Sequence, residues 1–141
     1  MKIVGLMHAR NEDWVVGLTA RAALEWVDVL LVYAHASVDR TIDLLDLLRR
    51  RVGPSRLLIH ANPDQIWNEM DYRQETLDWA RQIHATHIAL IDADELLTAN
   101  LLPSIRDMVR ATPPGQCLTL PGIQLWEPDQ QRIDNLFLAQ F

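Results

Sequence analysis

His87-Ile88-Ala89-Leu90-Ile91-Asp92-Ala93-Asp94-Glu95 is an apolar run that stops abruptly at three acids within four positions. A short apolar run of this kind suits a buried strand, which would carry its acids at the carboxyl tip. Open α/β sheets bind ligands at the carboxyl ends of their strands. Asp92 and Asp94 there suit a hard cation, Mn²⁺ or Mg²⁺, which takes oxygens from one or two carboxylates and from a substrate's phosphates. The plainer alternative is a polar turn, because Asp and Glu also favour helix N-termini. Three carboxylates this close repel one another unless a cation or solvent relieves them, which favours metal or phosphate chemistry.

Outward from that stretch, apolar runs alternate with helical patterns. Strands are predicted over 3–7, 29–33, 57–59 and 87–91, and again over 117–120 and 123–126. Helices are predicted over 14–26 with Asp13 as cap, from Asp39 or Thr41 to Arg51, over 71–84, and over 102–110 with Pro103 in the first turn. Ile42, Leu45 and Leu48 recur on one face of the second helix, which Gly53-Pro54 should stop. Tyr72, Leu77, Ala80 and Ile83 mark the inner face of the third. Continuous apolar strands separated by helices predict an α/β fold in three layers, α/β/α, around a mostly parallel sheet. Right-handed crossovers bring the loops 9–13, 34–40, 61–70 and 92–99 to one rim.

The bulk properties narrow the function classes. At 141 residues the chain suits one domain, 1–141, and no linker, repeat or low-complexity tract interrupts it. A formal charge of −6 argues against a nucleic-acid footprint, which needs a basic face. An anionic ligand therefore needs local help from a metal or an arginine. Cys117 is the single cysteine, so neither an intrachain disulfide nor a cysteine zinc site is expected. No apolar run approaches the roughly 20 residues of a membrane span, and the expected compartment is the cytoplasm.

Each remaining group of polar residues has two readings. His8-Ala9-Arg10-Asn11-Glu12 follows the first strand. Arg10 and Asn11 suit hydrogen bonds to a base, ribose or phosphate, but a solvated loop with Glu12 or Asp13 capping the next helix fits as well. It is no P-loop, since the glycines and the Lys-Ser/Thr pair are missing. Ser37-Val38-Asp39-Arg40-Thr41 follows the second strand, and its residue types favour a loop tie and helix cap over a ligand role. Arg73 could fork onto a pyrophosphate or be a plain surface arginine. His35, His60, His84 and His87 read as loop or helix-end residues. Trp67, Trp79 and Trp126 read as packing residues, with sugar stacking an alternative for Trp126.

In this order the pieces resemble the N-terminal half of a family-2-type glycosyltransferase with the GT-A nucleotide-sugar-binding fold. The matching residues are Ala9-Arg10-Asn11-Glu12, then Trp26-Val27-Asp28-Val29-Leu30-Leu31-Val32, then the Ser-x-Asp-x-Thr turn at Ser37-Val38-Asp39-Arg40-Thr41. Ala89-Leu90-Ile91-Asp92-Ala93-Asp94-Glu95-Leu96-Leu97 matches the family's apolar strand with Asp-x-Asp. The likeness runs to about Ala99, and the C-terminal part reads as truncated or minimal. The resemblance implies a nucleotide-diphosphate sugar donor contacted by Ala9, Arg10, Asn11, Glu12, His35, Asp39, Arg73 and Asp92. It implies a metal held by Asp92 and Asp94, and transfer of the sugar to a hydroxyl of an unknown acceptor. The metal would neutralise the leaving diphosphate.

Two departures stand out. The family carries acids at the tip of the second strand, one of which reads the base, whereas this chain has Ala34 and His35. The family's general base lies in a later half, and here only Glu127 and Asp129 follow the last predicted strand. The apolar end Leu136-Phe137-Leu138-Ala139-Gln140-Phe141 has three readings: the end of a fragment, a tail packed on its own sheet, or a surface for a second copy in a homodimer. Two other functions remain in view. One is a non-catalytic module that binds a nucleotide sugar or a protein. The other is toprim-like metal-dependent phosphoryl or nuclease chemistry built on Glu12, Asp92 and Asp94, which the negative charge disfavours.

Overall fold

The computed structural model describes residues 1–64, 66, 68–122, 124–125 and 131–132. The chain forms two compact units, Met1–Asp107 and Met108–Phe141. The first holds β1 (Ile3–Ala9), α1 (Val16–Ala23), β2 (Val29–His35), α2 (Thr41–Val52), β3 (Leu57–Asn62), α3 (Glu69–Gln82) and β4 (His87–Leu90). Its sheet is wholly parallel, in the order β3-β2-β1-β4. A further helix, α4 (Ile105–Ala111), follows. The second unit contains an antiparallel pair, β5 (Gln124–Leu125) and β6 (Gln131–Arg132).

The α/β class and the parallel sheet agree with the sequence. β1 and β2 are almost continuously apolar because both of their faces are covered. Val4, Leu6, Val29 and Leu31 pack with Ala80 of α3. Their neighbours along the strands, such as Ile3, Met7, Leu30 and Val32, alternate to the opposite face and are buried there. Right-handed crossovers place α1 and α2 on that second face and α3 on the first, since the chain reverses direction across the sheet after β3. Gly5 sits where backbone and side chains are closest: a Cβ there would lie 2.9 Å from Leu30 Cδ1 and 3.2 Å from Ile91 Cδ1.

Several boundaries differ from the sequence reading. β1, β2 and β3 run two or three residues beyond the apolar segments. The ladder pairs His8 with Tyr33, Ala9 with Ala34, Tyr33 with His60 and His35 with Asn62, so backbone bonding outlasts the hydrophobic pattern. His35 and His60 are therefore strand residues, while His84 does end a helix, at φ 60°. α1 is shorter than predicted, and Asp13 does not cap it. The Glu12 carbonyl accepts from Val15 and Val16 instead. α3 starts earlier, at an Asn68 cap, and α4 starts later. α2 stops at Gly53, at φ 98°, as its Gly-Pro pair predicts. Residues 117–120 are not a strand.

β4 departs most. It was expected to be a buried strand, yet Ile88 is 39% and Leu90 70% exposed. The register aligns Ile88 with Val4 and Leu90 with Leu6, so both look toward the α3 face. α3 lies over β1 and β2 and leaves this flank of β4 open. The side chains of Trp67, Trp126, Glu127 and Asp129, and the apolar end 136–141, lie outside the described residues. Among the described residues no helix is long and apolar enough to cross a membrane.

Candidate functional site

The strand order reverses between β1 and β4. Ligand crevices in open α/β sheets form at that reversal, beyond the strands' carboxyl ends. A cleft of ≈ 190 Å³ lies there. Leu6, Leu77, Leu90 and Ile91 make its apolar wall, and His8, Arg73, Thr76 and Asp92 its polar side. Sites that enclose a whole ligand usually run from about 300 to 1,000 Å³. The cleft has room for one ring of a larger molecule whose remainder lies across the rim.

The acidic turn is anchored by its backbone and small side chains, which leaves its carboxylates outward. Ile91 and Ala93 are buried while Asp92 and Asp94 are exposed. The Ile91 amide donates to the Leu6 carbonyl at 3.0 Å, continuing the β1–β4 ladder. The buried Thr19 hydroxyl donates to the Ala93 carbonyl at 2.6 Å, and the Glu95 amide closes the turn on the Asp92 carbonyl. Asp92 borders the cleft, whereas Asp94 stands outside its lining. Among the described residues no three His, Cys, Asp or Glu side chains cluster to hold a metal by themselves. The two outward acids fit a cation that takes its other oxygens from a ligand's phosphates, as Mg²⁺ commonly does.

Arg73, on α3, reaches the same cleft and donates from Nε to Glu69 Oε1 at 2.7 Å. Both partners are about half exposed, so the pair is loosely held and Arg73 can turn to an anion. His8, at the tip of β1, approaches α3, with Nε2 3.2 Å from Thr76 Oγ1. The Thr76 hydroxyl also lies 3.0 Å from each of the Tyr72 and Arg73 carbonyls. Which of His8 Nε2 and Thr76 Oγ1 donates follows the imidazole tautomer. Burial and the Arg73 guanidinium hold His8 below its ordinary pKa, against the opposing pull of Glu69, Asp92 and a hydrogen bond to the Tyr72 backbone.

The other predicted positions form a different structure beside the cleft. Ala9 ends β1 and is buried. Three consecutive amides after it are captured by the motif that follows β2. Asn11 donates to Ser37 Oγ at 3.2 Å, Glu12 to Thr41 Oγ1 at 2.7 Å and Asp13 to Asp39 Oδ2 at 3.0 Å. In return the Val38 amide donates to Asn11 Oδ1 at 2.9 Å, which holds Asn11 in the left-handed region at φ 56°. Asp39 Oδ1 accepts the first amide of α2, from Thr41. Partial desolvation disfavours the Asp39 charge, yet hydrogen bonds from Thr41 and Asp13 outweigh it and lower its pKa. Arg10 is exposed, and the Glu12 carboxylate accepts from Trp14 Nε1 at 3.0 Å.

His35 is only 1% exposed and lies against Tyr72, with ring centroids 5.2 Å apart. Tyr33 stacks on His60 and on Tyr72, both at 4.8 Å, and Asn62 donates to its hydroxyl at 2.7 Å. Burial first, then the nearby Glu75, pushes the Tyr33 phenol above its ordinary pKa. The structure therefore gathers Arg73 and Asp92 on one cleft, sets Asp94 beyond it, and gives Asn11, Glu12 and Asp39 to a clasp between two loops. Sequence reasoning missed His8 and Thr76 as cleft residues. Strand alternation puts His8 on the face of Val4 and Leu6, and Thr76 lies one helical turn after Arg73, so both were legible.

No protein-family model matches the sequence, and no curated protein matches it. Among solved structures, the chain is similar to S. aureus TarS 1-349, with TM-score 0.60 and 13% identity over 78% of this chain and 32% of that one. It is also similar to TarS 1-349 in complex with UDP-GlcNAc, with TM-score 0.58 and 11% identity over 86% of this chain and 38% of that one. The chain thus spans about a third of the length of these structures. The likeness establishes the fold alone: an α/β fold around a parallel sheet, shared with these structures.

Proposed function

We propose that this chain is the donor-binding part of a glycosyltransferase of the family-2, GT-A type, which uses a nucleotide-diphosphate sugar and passes the sugar to an acceptor hydroxyl. The observation that carries this reading is the cleft at the β1–β4 reversal, where an arginine and an outward carboxylate converge on an apolar slot. The nucleoside would enter the slot. The diphosphate would lie across the rim, between Arg73 and a Mn²⁺ or Mg²⁺ held by Asp92 and Asp94. The metal would supply positive charge to the departing diphosphate as the glycosidic bond breaks. Arg73 would hold phosphate oxygens through its fork of donors. The clasp of Ser37, Asp39 and Thr41 would hold the loop at Arg10 and Asn11 in a fixed shape next to the ligand, which limits the ordering cost of binding.

A solved neighbour holds UDP-GlcNAc, which makes UDP the natural first probe. Calorimetric titration with UDP, with and without Mn²⁺, tests the proposal. Saturable binding that strengthens with Mn²⁺ is expected. Absence of binding to UDP and to the other nucleotide-diphosphates, with or without the metal, sinks it.

A further inference from the structure

Very little holds the acidic turn beyond β4 to the rest of the molecule. Ile91, the first residue outside the strand, donates its amide to the Leu6 carbonyl and extends the ladder. Past that point, among the described residues, a single hydrogen bond ties residues 92–99 to another element. The Thr19 hydroxyl of α1 donates to the Ala93 carbonyl at 2.6 Å. We propose that Thr19 is a positioning residue for metal-assisted donor binding, acting through Ala93 to fix the backbone from which Asp92 and Asp94 reach a cation. This inference rests on the donor-binding reading above and deepens it.

The direction of the bond is settled by its chemistry, since a carbonyl can only accept. A helical threonine usually returns its hydroxyl to a carbonyl three or four residues back. Thr76 lies 3.0 Å from both such carbonyls on α3. Thr19 lies 3.4 Å from those of Val15 and Val16, so its hydrogen goes to the turn instead. The bond is also enclosed. Thr19 is fully buried and Ala93 nearly so, which leaves the carbonyl no ready solvent partner.

Ala93 stands between two exposed acids. Its buried methyl and its bonded carbonyl both anchor the middle of the turn, while the flanking carboxylates stay uncommitted to the fold. Repulsion among Asp92, Asp94 and Glu95 works to spread this segment. A backbone fixed from α1 resists that spreading, so less of the turn has to be ordered when a cation binds.

Thr19→Val keeps the shape of the side chain, removes the hydroxyl and leaves the Ala93 carbonyl unpaired. Calorimetry of UDP binding with and without Mn²⁺ reads the result. In Thr19→Val the strengthening by Mn²⁺ should fall about tenfold, the effect expected when a group supporting a metal ligand is lost. UDP binding without the metal should be unchanged. Thr19→Ser restores the hydroxyl and should recover the strengthening. Leu48→Ala, in the buried face of α2, is the control for lost stability alone. It should lower the melting temperature and leave the Mn²⁺ effect intact.

An undiminished Mn²⁺ effect in Thr19→Val overturns the role of Thr19 and leaves the donor-binding reading standing. So does an equal loss in Leu48→Ala, or a loss in Thr19→Val that is as large without the metal. UDP binding that Mn²⁺ does not strengthen in the unsubstituted protein overturns it too. In that protein the Thr19 hydroxyl proton should exchange slowly with water by NMR. Free exchange overturns the role even if Thr19→Val folds poorly. Failure of the unsubstituted protein to bind UDP under either condition overturns the donor-binding reading, and this inference with it.

Discussion

Two rims lie side by side at the carboxyl end of this sheet, and both are rich in polar side chains. In the first, between the loops after β1 and β2, the side chains of Asn11, Ser37, Asp39 and Thr41 each take a backbone amide. In the second, beyond β4, Asp92 and Asp94 take none among the described residues and point to solvent. The first rim has its hydrogen-bonding capacity committed to the fold. The second keeps its charge available, at the cost of repulsion between neighbouring carboxylates. Residue type alone does not separate these roles. What separates them is whether a second loop lies within reach of the side chains.

Substitutions should therefore split cleanly between the rims. The largest effect is expected from Asp94→Ala, which on the proposed reading removes a metal oxygen and should weaken Mn²⁺-dependent UDP binding by about a hundredfold. Thermal stability should be unchanged or slightly higher, because clustered negative charge is relieved. Calorimetry and a melting curve on the same sample decide it, and unaltered metal dependence would place the cation elsewhere. Asp39→Ala should do the reverse. It strands the amides of Asp13 and Thr41 and should cost about 1–2 kcal/mol of stability. At temperatures where the variant is folded, its UDP affinity should fall far less than that of Asp94→Ala. A hundredfold loss there would mean that Asp39 touches the ligand.

The contrast also marks what could be read from the sequence. The strands β1 and β2 were plain because both faces are buried and the apolar runs are unbroken. Their ends were not, because His8, Ala34, His35 and Asn62 stay in the ladder through backbone pairing that hydrophobicity does not report. The Ser-x-Asp-x-Thr motif was legible as a loop tie. Its partner was not, since amides of residues 11–13 carry no sequence signature. Asp92 and Arg73 were found by type and position. His8 was passed over because the apolar run ends just before it, although strand periodicity aims it at the same slot. The exposure of Leu90 could not be foreseen, for it depends on how far α3 extends across the sheet.

Acid should separate the rims again, with a smaller effect. His8 has a folded pKa below its ordinary 6.5, so the unfolded chain binds the proton more readily. Its contribution to stability is complete above about 6.5 and is lost as the pH falls through the lowered value. Asp39 also has a lowered pKa, but from an ordinary 3.8, so its contribution survives to below that pH. Denaturant midpoints measured from pH 8 to 3 should show a first decline below 6.5 that His8→Phe removes and Asp39→Asn does not. A decline that persists in His8→Phe would assign it to another histidine.

The smallest effect concerns the pair that straddles both functions. Glu69 precedes Arg73 by one helical turn, the favourable order for an ion pair, but both are half exposed, so the pair contributes only about 0.2–0.5 kcal/mol. Glu69→Gln should leave the melting temperature nearly unchanged. It also releases Arg73 from a competing carboxylate, so UDP should bind about twofold more tightly, the same few tenths of a kcal/mol returned as affinity. The sign is the test. If Glu69→Gln weakens binding instead, Glu69 meets the ligand or its metal directly, and the polar side of the cleft extends up α3 beyond Arg73.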